Sequence, residues 1–232
     1  MVGALQGQNV VILGGSSGIG FAVAELAIEQ GAAVFALSRS GNAPTSANGV
    51  KVDVSDRDAL GAAFGKIGRI DHLAHTVGLR FGSTPVASLE EALPADAFEA
   101  KLFSALHAVR LALPVLAPNA SITFTSGQVS RKYGSGSSVK GALNAAVDTA
   151  GRHLAKELAP RRVNVVSPGV VDTSLWGEPG SDARNALVAR VSSSLPVARV
   201  GRPEELAQAY LFLMTNGFTT GSVLDVDGGG LL

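Results

Sequence analysis

Residues 10–20 read VVILGGSSGIG, four apolar residues followed by a loop in which glycine fills four of seven positions. An alanine-rich amphipathic stretch begins at Phe21, so the pattern predicts a strand that turns sharply into a helix. Glycine permits such turns and lets a diphosphate approach the N–H groups at the helix start. No Gly-Lys-Ser/Thr follows to hold a β/γ-phosphate. The order of strand, glycine loop and helix therefore favours a dinucleotide site over a P-loop. The alternative is a tight turn that binds nothing.

The composition points to one globular domain over residues 1–232, because 46% hydrophobic content is enough for one sizeable core. Lys plus Arg and Asp plus Glu both number 19, so no net charge attracts nucleic acid or an acidic membrane surface. There is no cysteine, and the four histidines lack metal-binding spacing. No apolar run reaches the roughly 18 to 20 residues of a membrane span. We therefore expect a cytoplasmic protein without a metal, whose partners are small molecules and copies of itself.

Short β-branched runs alternate with longer segments that carry apolar residues at helical intervals. The alternation predicts an α/β fold of the doubly wound, Rossmann-like type, with helices on both faces of a parallel sheet and ligands at the carboxyl ends of the strands. Asp56 as a helix cap and Pro203 at a helix start support these boundaries. Segment 41–49 is expected to be a surface loop and 177–182 part of a lid. Seven strands are predicted at 10–13, 33–37, 50–54, 70–75, 121–125, 163–166 and 223–226, and helices at 19–30, 56–64, 96–115, 138–158 and 204–214.

Further motifs follow the glycine loop in a fixed order. Asp53 follows the third predicted strand, residues 140–143 read KGAL at the start of a long helix, residues 162–173 read RVNVVSPGVVDT, and residues 227–229 read DGG. With these motifs the chain resembles the short-chain dehydrogenase/reductase family over nearly its whole length. The resemblance implies a Rossmann fold, a nicotinamide dinucleotide cofactor, and a homodimer or homotetramer that pairs through the long helices.

The resemblance also assigns the cofactor contacts. It places the adenine near Asp53 and Val54, the diphosphate on the glycine loop, and the nicotinamide carboxamide against the turn that follows the sixth strand. For Asp53 the alternative is a surface helix cap. The implied cofactor-binding residues are Gly14, Ser16, Ser17, Gly18, Ile19, Gly20, Ser38, Arg39, Asp53, Val54, His75, Gly78, Lys140, Pro168, Gly169, Val171 and Thr173.

The choice between NAD and NADP is expected at the end of the second strand, where NAD-selective members of the family place an acidic residue. In this chain that position holds Ser38, followed by Arg39. A carboxylate would repel a 2′-phosphate, whereas a hydroxyl beside a guanidinium can bind one through charge-assisted hydrogen bonds. We therefore predict NADP(H) in preference to NAD(H). The alternative is that Arg39 is an ordinary loop arginine.

The catalytic positions depart from the family pattern. The family uses a Tyr-x-x-x-Lys pair, in which the lysine holds the nicotinamide ribose and the phenol exchanges a proton with the substrate oxygen. Counting back from Lys140, the position of the tyrosine holds Gly136. The nearest equivalents of the family's serine are Ser126 and Gly127, and its helix asparagine corresponds to Lys101. Of the family's four catalytic residues this chain therefore matches Lys140, with Ser126 as a partial match.

A different proton donor is required, because hydride transfer to a carbonyl leaves an alkoxide. Tyr133 is one candidate, since its separation from Lys140 matches the longer Tyr–Lys spacing of enoyl-thioester reductases, which resemble this family and reduce C=C bonds. Lys101 is another, because burial beside Lys140 would lower the pKa of one of the two amines. His75 could relay a proton. The structural alternatives are a tyrosine packed at the rim, a solvated helix lysine and a histidine bonded to the backbone.

Two functions are consistent with these residues. The first is an NADPH-dependent oxidoreductase that reduces a carbonyl or an activated C=C bond of a small apolar molecule. In this hypothesis Lys140 holds the ribose, Ser126 bonds the substrate oxygen, and Tyr133 or Lys101 supplies the proton. The alternative is an NADP(H)-binding cyclase, isomerase or redox-sensing protein, which the missing tyrosine favours. Trp176 either forms a wall of the substrate pocket or anchors the lid.

Overall fold

A seven-stranded parallel sheet forms the centre of the computed structural model, which describes residues 3–78, 82–90, 93–177 and 180–232. The strands are β1 (Asn9–Leu13), β2 (Ala33–Ser38), β3 (Asn48–Lys51), β4 (Ile70–His75), β5 (Leu116–Thr125), β6 (Arg162–Pro168) and β7 (Val223–Val226). Their order across the sheet is β3-β2-β1-β4-β5-β6-β7, which confirms the predicted Rossmann-like fold. The helices are α1 (Gly18–Glu29), α2 (Arg57–Ile67), α3 (Leu93–Phe98), α4 (Ser104–Ala112), α5 (Ser138–Glu157), α6 (Asp182–Ser192) and α7 (Pro203–Thr215).

The sheet is covered on both faces, as its continuous apolar strands require. Side chains of β1 alternate between the two layers. Val10 and Ile12 pack with residues of α1 and α7, and Val11 and Leu13 pack with residues of α2, α4 and α5. All four are completely buried. Because every strand is parallel, the loops that follow β1, β2, β4, β5 and β6 meet at one edge of the sheet, where ligands of this fold bind.

Two helix starts lie where the sequence predicts them. The Asp56 carboxylate accepts a hydrogen bond of 2.9 Å from the Ala59 N–H and caps α2. Pro203 is the first residue of α7, a position at which a backbone N–H would have no hydrogen-bond partner within the helix.

The third strand was predicted at 50–54, but β3 ends at Lys51. The reason is a side-chain turn, because Asp53 Oδ1 accepts hydrogen bonds from the N–H of Ser55 at 3.0 Å and from its hydroxyl at 2.8 Å. This turn directs the chain into α2.

The continuous helix predicted at 96–115 is interrupted. A π-helical turn at Glu99–Phe103 separates α3 from α4, and β5 begins at Leu116, earlier than the predicted position 121. The hydrogen bonds of a π-helical turn span one residue more than those of an α-helix, so the turn is wider, and Lys101 lies on it. Helix α6 was not predicted, and the predicted lid segment 177–182 includes residues 178–179, which lie outside the described ranges.

Across the described ranges, no helix has the length and apolar character needed to cross a membrane. The same residues contain no group of three or more His, Cys, Asp and Glu side chains placed to hold a metal ion.

Candidate active site

The glycine loop between β1 and α1 forms one wall of a cleft at the carboxyl edge of the sheet. Gly14 has a φ of +88° and Gly18 a φ of +55°, both in the region that favours glycine. A Cβ at Gly20 would lie 2.4 Å from the Gly14 carbonyl oxygen and 2.4 Å from Thr76 Oγ1. Ser17 precedes α1, and its side chain makes no capping hydrogen bond to any described residue. The N–H groups at the start of α1 therefore remain available to an anion.

A first cavity of about 670 Å³ extends from this loop to the ends of β2 and β3. At the end of β2 it is lined by Ser38, Arg39 and Ser40, so two hydroxyls and a guanidinium are grouped there. The Ser38 hydroxyl accepts a hydrogen bond of 3.0 Å from the Gly41 N–H, which fixes the turn that follows β2. This is the chemistry that a phosphate monoester on a ribose requires.

Asp53 also lines the first cavity, beside Val54. Its carboxylate has a lowered pKa, chiefly because it accepts the Ser55 N–H. The capping residue of α2 is Asp56, so Asp53 does not serve as the helix cap that was its alternative assignment.

A second cavity of about 270 Å³ adjoins the first. The two share Ile19, Thr76, Val77, Gly78 and Thr173, so together they form one cleft across the sheet edge. The polar lining of the second cavity includes Lys101, Ser126, Gln128, Lys140 and Asn144, and its apolar lining includes Val129, Leu143, Val170 and Trp176.

Lys101 is fixed in the second cavity by two acceptors. Its Nζ donates to the Ser126 carbonyl oxygen at 2.9 Å and to Asn144 Oδ1 at 2.6 Å. The Asn144 amide nitrogen donates to the Lys140 carbonyl oxygen at 2.8 Å, so its oxygen is the atom directed at Lys101. Burial lowers the pKa of Lys101 to about 8, and the charge of Asp148 opposes this shift. Lys101 is therefore an ammonium group that can release a proton near neutral pH.

Two buried hydroxyls in the second cavity lack a protein partner. Ser126 is 5% exposed and Thr173 is 7% exposed, and neither hydroxyl oxygen has a hydrogen-bond partner among the described residues. Buried polar atoms of this kind are normally satisfied, so both are suited to bind a ligand. Lys140 is half-buried in the same cavity, and burial lowers its pKa.

Two of the predicted site residues lie outside the cleft. Tyr133 is 92% exposed and lines neither cavity, because it lies on the loop before α5, and the helix begins only at Ser138. His75 also lines neither cavity. Its ring is buried under the edge of the sheet, with Nε2 2.9 Å from Ser104 Oγ, and burial and the charge of Lys101 lower its pKa to about 3. The backbone just beyond it, from Thr76, lines the cleft in its place.

The remaining predicted residues line one or both cavities. Trp176 fits both of its alternatives, since it lines the second cavity while its Nε1 donates to the Val171 carbonyl oxygen at 2.8 Å. The predicted residues found in the cleft are Gly14, Ser16, Ser17, Gly18, Ile19, Gly20, Ser38, Arg39, Asp53, Val54, Gly78, Lys101, Ser126, Lys140, Pro168, Gly169, Val171 and Thr173.

Comparison with known proteins agrees with this arrangement. A family model described as enoyl-(acyl carrier protein) reductase matches residues 14–230. The short-chain dehydrogenase/reductase ATR9 of Stachybotrys chlorohalonatus is 36% identical, over 98% of this chain and 98% of its own length. The chain belongs to the short-chain dehydrogenase/reductase family.

Solved structures of the family superpose closely on this one. A small-chain dehydrogenase in complex with NADPH is 38% identical, with a TM-score of 0.88 over 97% of this chain and 98% of that chain. The MalC reductase/Diels-Alderase of Malbranchea aurantiaca is 28% identical, with a TM-score of 0.88 over 98% of this chain and 97% of that chain. This short-chain dehydrogenase/reductase thus shares its backbone with a relative that binds NADPH.

Gly136, at the position where the family's tyrosine was expected, has a backbone conformation that favours glycine. Its φ is +71°, and its carbonyl oxygen accepts a hydrogen bond of 2.9 Å from the Thr84 N–H. A Cβ at this position would lie 2.9 Å from the Thr84 nitrogen. The loop before α5 is therefore built around a residue without a side chain.

Sequence reasoning missed Asn144 and Gln128, which line the second cavity of this short-chain dehydrogenase/reductase. Asn144 could have been found from spacing, because it lies four residues after Lys140 and so on the same face of the helix. No local pattern singles out Gln128, which enters the site through the short helical turn Gln128–Ser130.

Proposed function

We propose that this short-chain dehydrogenase/reductase is an NADPH-dependent oxidoreductase that reduces a carbonyl or an activated C=C bond of a small apolar molecule, with Lys101 as the proton donor. The observation that carries the proposal is the position of the Lys101 ammonium in the second cavity, beside the Ser126 hydroxyl, which has no hydrogen-bond partner in the described part of the chain.

The cleft fits the cofactor. The open N–H groups at the start of α1 suit the diphosphate, and Arg39 with its neighbouring hydroxyls suits a 2′-phosphate. The unpaired Thr173 hydroxyl suits the nicotinamide carboxamide, and Lys140 suits the adjoining ribose. The relative solved with NADPH supports this assignment. NADPH, when bound, supplies the hydride.

Lys101 is better placed to deliver a proton than Tyr133. An ammonium has three N–H donors, and two of those on Lys101 are used by Ser126 and Asn144. The third has no acceptor among the described residues, so it can be donated to a substrate oxygen. A donor works best with a pKa near the working pH, and about 8 meets this condition. Tyr133, being 92% exposed, has no such access.

The walls of the second cavity indicate the substrate class. Val129, Leu143, Val170 and Trp176 contribute apolar lining, and Ser126 and Lys101 contribute hydrogen-bond donors. A pocket of this type orients a mainly apolar molecule by a single oxygen. Ser126 would hold that oxygen, and Lys101 would protonate the alkoxide or stabilise the enolate that forms when hydride arrives.

The test is stopped-flow absorbance at the nicotinamide band, with NADPH and a panel of apolar ketones, aldehydes and enones. For any substrate that is reduced, Lys101→Met should slow the chemical step by about 10²- to 10⁴-fold, the usual contribution of general acid catalysis. Because the donor must carry its proton, the wild-type rate should be level below pH 8 and fall above it. Lys132→Met is the matched control on an exposed lysine, and Tyr133→Phe should also retain the rate. An unchanged rate in Lys101→Met, or no oxidation across the panel, would reject the proposal.

A second candidate function is a cyclisation with NADP(H) bound. Two observations favour it, the likeness to a reductase/Diels-Alderase and the backbone of Gly136, which excludes the family's phenol. In such a reaction the free N–H of Lys101 would polarise a substrate carbonyl by hydrogen bonding without giving up the proton. Cyclic product formed while the nicotinamide absorbance stays constant would support this function. Lys140→Ala with unchanged NADPH affinity and retained activity would also favour it over the first.

A further inference from the structure

Asp148 is a buried carboxylate that the proposed reaction does not use. It lies on α5 and is 6% exposed, and its Oδ1 atom has no hydrogen-bond partner among the described residues. Removing a carboxylate from water is unfavourable unless an opposite charge or hydrogen bonds compensate it. A compensating charge should therefore lie nearby.

The helix places Asp148 on the face that carries the active-site residues. Asn144 and Asp148 follow Lys140 at intervals of four residues, so the three form a stripe along one side of α5. Asn144 contacts the Lys101 ammonium directly. The charge of Asp148 acts on Lys101 in the direction opposite to burial and favours the protonated amine.

The other titratable groups around Lys101 do not supply this negative charge. Lys140 on α5 has the same sign as Lys101, and His75 on β4 is neutral at physiological pH. Arg131, which also feels the charge of Asp148, forms an ion pair with Asp225. Glu99, on the same π-helical turn as Lys101, lines the first cavity, and its Oε1 lies 3.9 Å from Arg57 Nη2.

The direct partners of the Lys101 ammonium are neutral. Both are oxygens of amide groups, one from the backbone of Ser126 and one from the side chain of Asn144. They fix its position, but they bear no charge to balance it. The carboxylate one helical turn beyond Asn144 provides that balance.

We propose that Asp148 is a positioning residue that acts as the buried counter-charge of Lys101 and keeps this amine protonated and in place beside the substrate cavity. Its catalytic meaning rests on the proposed function, in which Lys101 is the proton donor. The charge pairing of Asp148 and Lys101 can be measured in the protein without substrate. Failure of the pairing can therefore be distinguished from failure of Lys101 as the proton donor.

The first experiment is a pH titration followed by NMR of protein labelled with ¹³C at the lysine ε-carbon. Lys101→Arg identifies the Lys101 signal by its loss. Asp148→Asn should lower the titration midpoint of Lys101 by at least about half a pH unit, and Asp148→Glu should move it back toward the wild-type value. The six lysines to be resolved are Lys51, Lys66, Lys101, Lys132, Lys140 and Lys156.

The matched control is Asp71→Asn. Asp71 is also buried, but it lies at the amino end of β4, away from the cleft, where it pairs with Arg69. The control should leave the Lys101 midpoint unchanged. An unchanged midpoint in Asp148→Asn overturns the proposal, as does an equal shift in Asp71→Asn. For a substrate that is reduced, the fall in rate at high pH should begin at lower pH in Asp148→Asn.

A stability measurement tests the pairing even if Asp148→Asn alone does not fold. Lys101→Met leaves the Asp148 carboxylate buried without its counter-charge, so adding Asp148→Asn to it removes an unpaired charge. The double variant should therefore unfold at a higher urea concentration than Lys101→Met at pH 7. A double variant that is no more stable than Lys101→Met overturns the proposal, whatever the activity of either protein.

Discussion

Gly20→Ala tests whether the glycine loop is built for close approach. The added Cβ would lie 2.4 Å from both the Gly14 carbonyl oxygen and Thr76 Oγ1, where ordinary contacts begin near 3.4 Å. The first atom is backbone, and the second is held by the hydrogen bond of 2.8 Å that Thr76 donates to the Leu13 carbonyl oxygen. Neither can move away without shifting the loop, so the loop must be displaced by about 1 Å.

The magnitude follows from these contacts. Overpacking of this kind costs about 1–3 kcal/mol, and the better helix propensity of alanine offsets up to about 1 kcal/mol of it. The free energy of unfolding should therefore fall by up to about 3 kcal/mol. Each hydrogen bond from an N–H group to a charged phosphate oxygen contributes about 1.5–3 kcal/mol, so loss of one should weaken NADPH binding at least about tenfold.

Titration calorimetry with NADPH, together with urea unfolding, measures both effects. The matched control is Gly65→Ala in α2, where a Cβ would have no atom within 4 Å. This control should gain about 0.5–1 kcal/mol of stability and bind NADPH as the wild type does. Folded Gly20→Ala protein that binds NADPH within about twofold of the wild type would refute the assignment of the loop to the diphosphate.

Two further predictions concern the missing tyrosine and the buried histidines. Gly136→Tyr should lower the free energy of unfolding by at least about 1–2 kcal/mol, because φ is +71° and the Cβ would lie 2.9 Å from the Thr84 nitrogen. The variant should not oxidise NADPH faster than the wild type. A variant that is faster and equally stable would contradict this prediction. Burial lowers the pKa of His72 to about 4 and that of His75 to about 3, whereas both titrate near 6.5 when unfolded. Their contribution to stability is therefore complete above pH 6.5 and is lost as the pH falls toward 4, by about 2 kcal/mol for each histidine at pH 5. Urea unfolding at pH 7.5 and pH 5.0 measures the loss, and equal midpoints would show that the histidines are not buried in the neutral form.

The fold could be predicted because its signals are local and repeated. Strand β1 is a short apolar run buried on both faces, and the glycine loop marks the transition from β1 to α1. The errors arose where tertiary contacts decide the outcome. The apolar spacing of 96–115 fits a continuous helix, but spacing alone does not reveal the wide turn at Glu99–Phe103.

The active site was harder to predict because spacing in the sequence equals spacing in space only within a regular element. The separation of Tyr133 from Lys140 suggested a phenol near the amine. Residues 134–137 form a loop before α5 begins at Ser138, and Tyr133 is exposed to solvent at the start of that loop. Within α5 the same kind of reasoning succeeds, as the shared face of Lys140 and Asn144 shows.

In the proposed function an amine takes the role of the family's phenol, while the backbone stays close to that of its relatives. A phenol must have its pKa lowered by a neighbouring cation before it can exchange protons near neutral pH, whereas burial alone lowers that of an ammonium. Burial brings the pKa of Lys101 to about 8, so in the proposed function this lysine on the π-helical turn supplies the proton, and no side chain is needed at position 136. Lys101 and Lys140 both line the second cavity, and burial lowers the pKa of each, whereas the charge of Asp148 favours the protonated form of Lys101. Asp148 lies one turn beyond Asn144 on the same side of α5. Under the two proposals, the lysine donor and this buried aspartate therefore form a single change to the site.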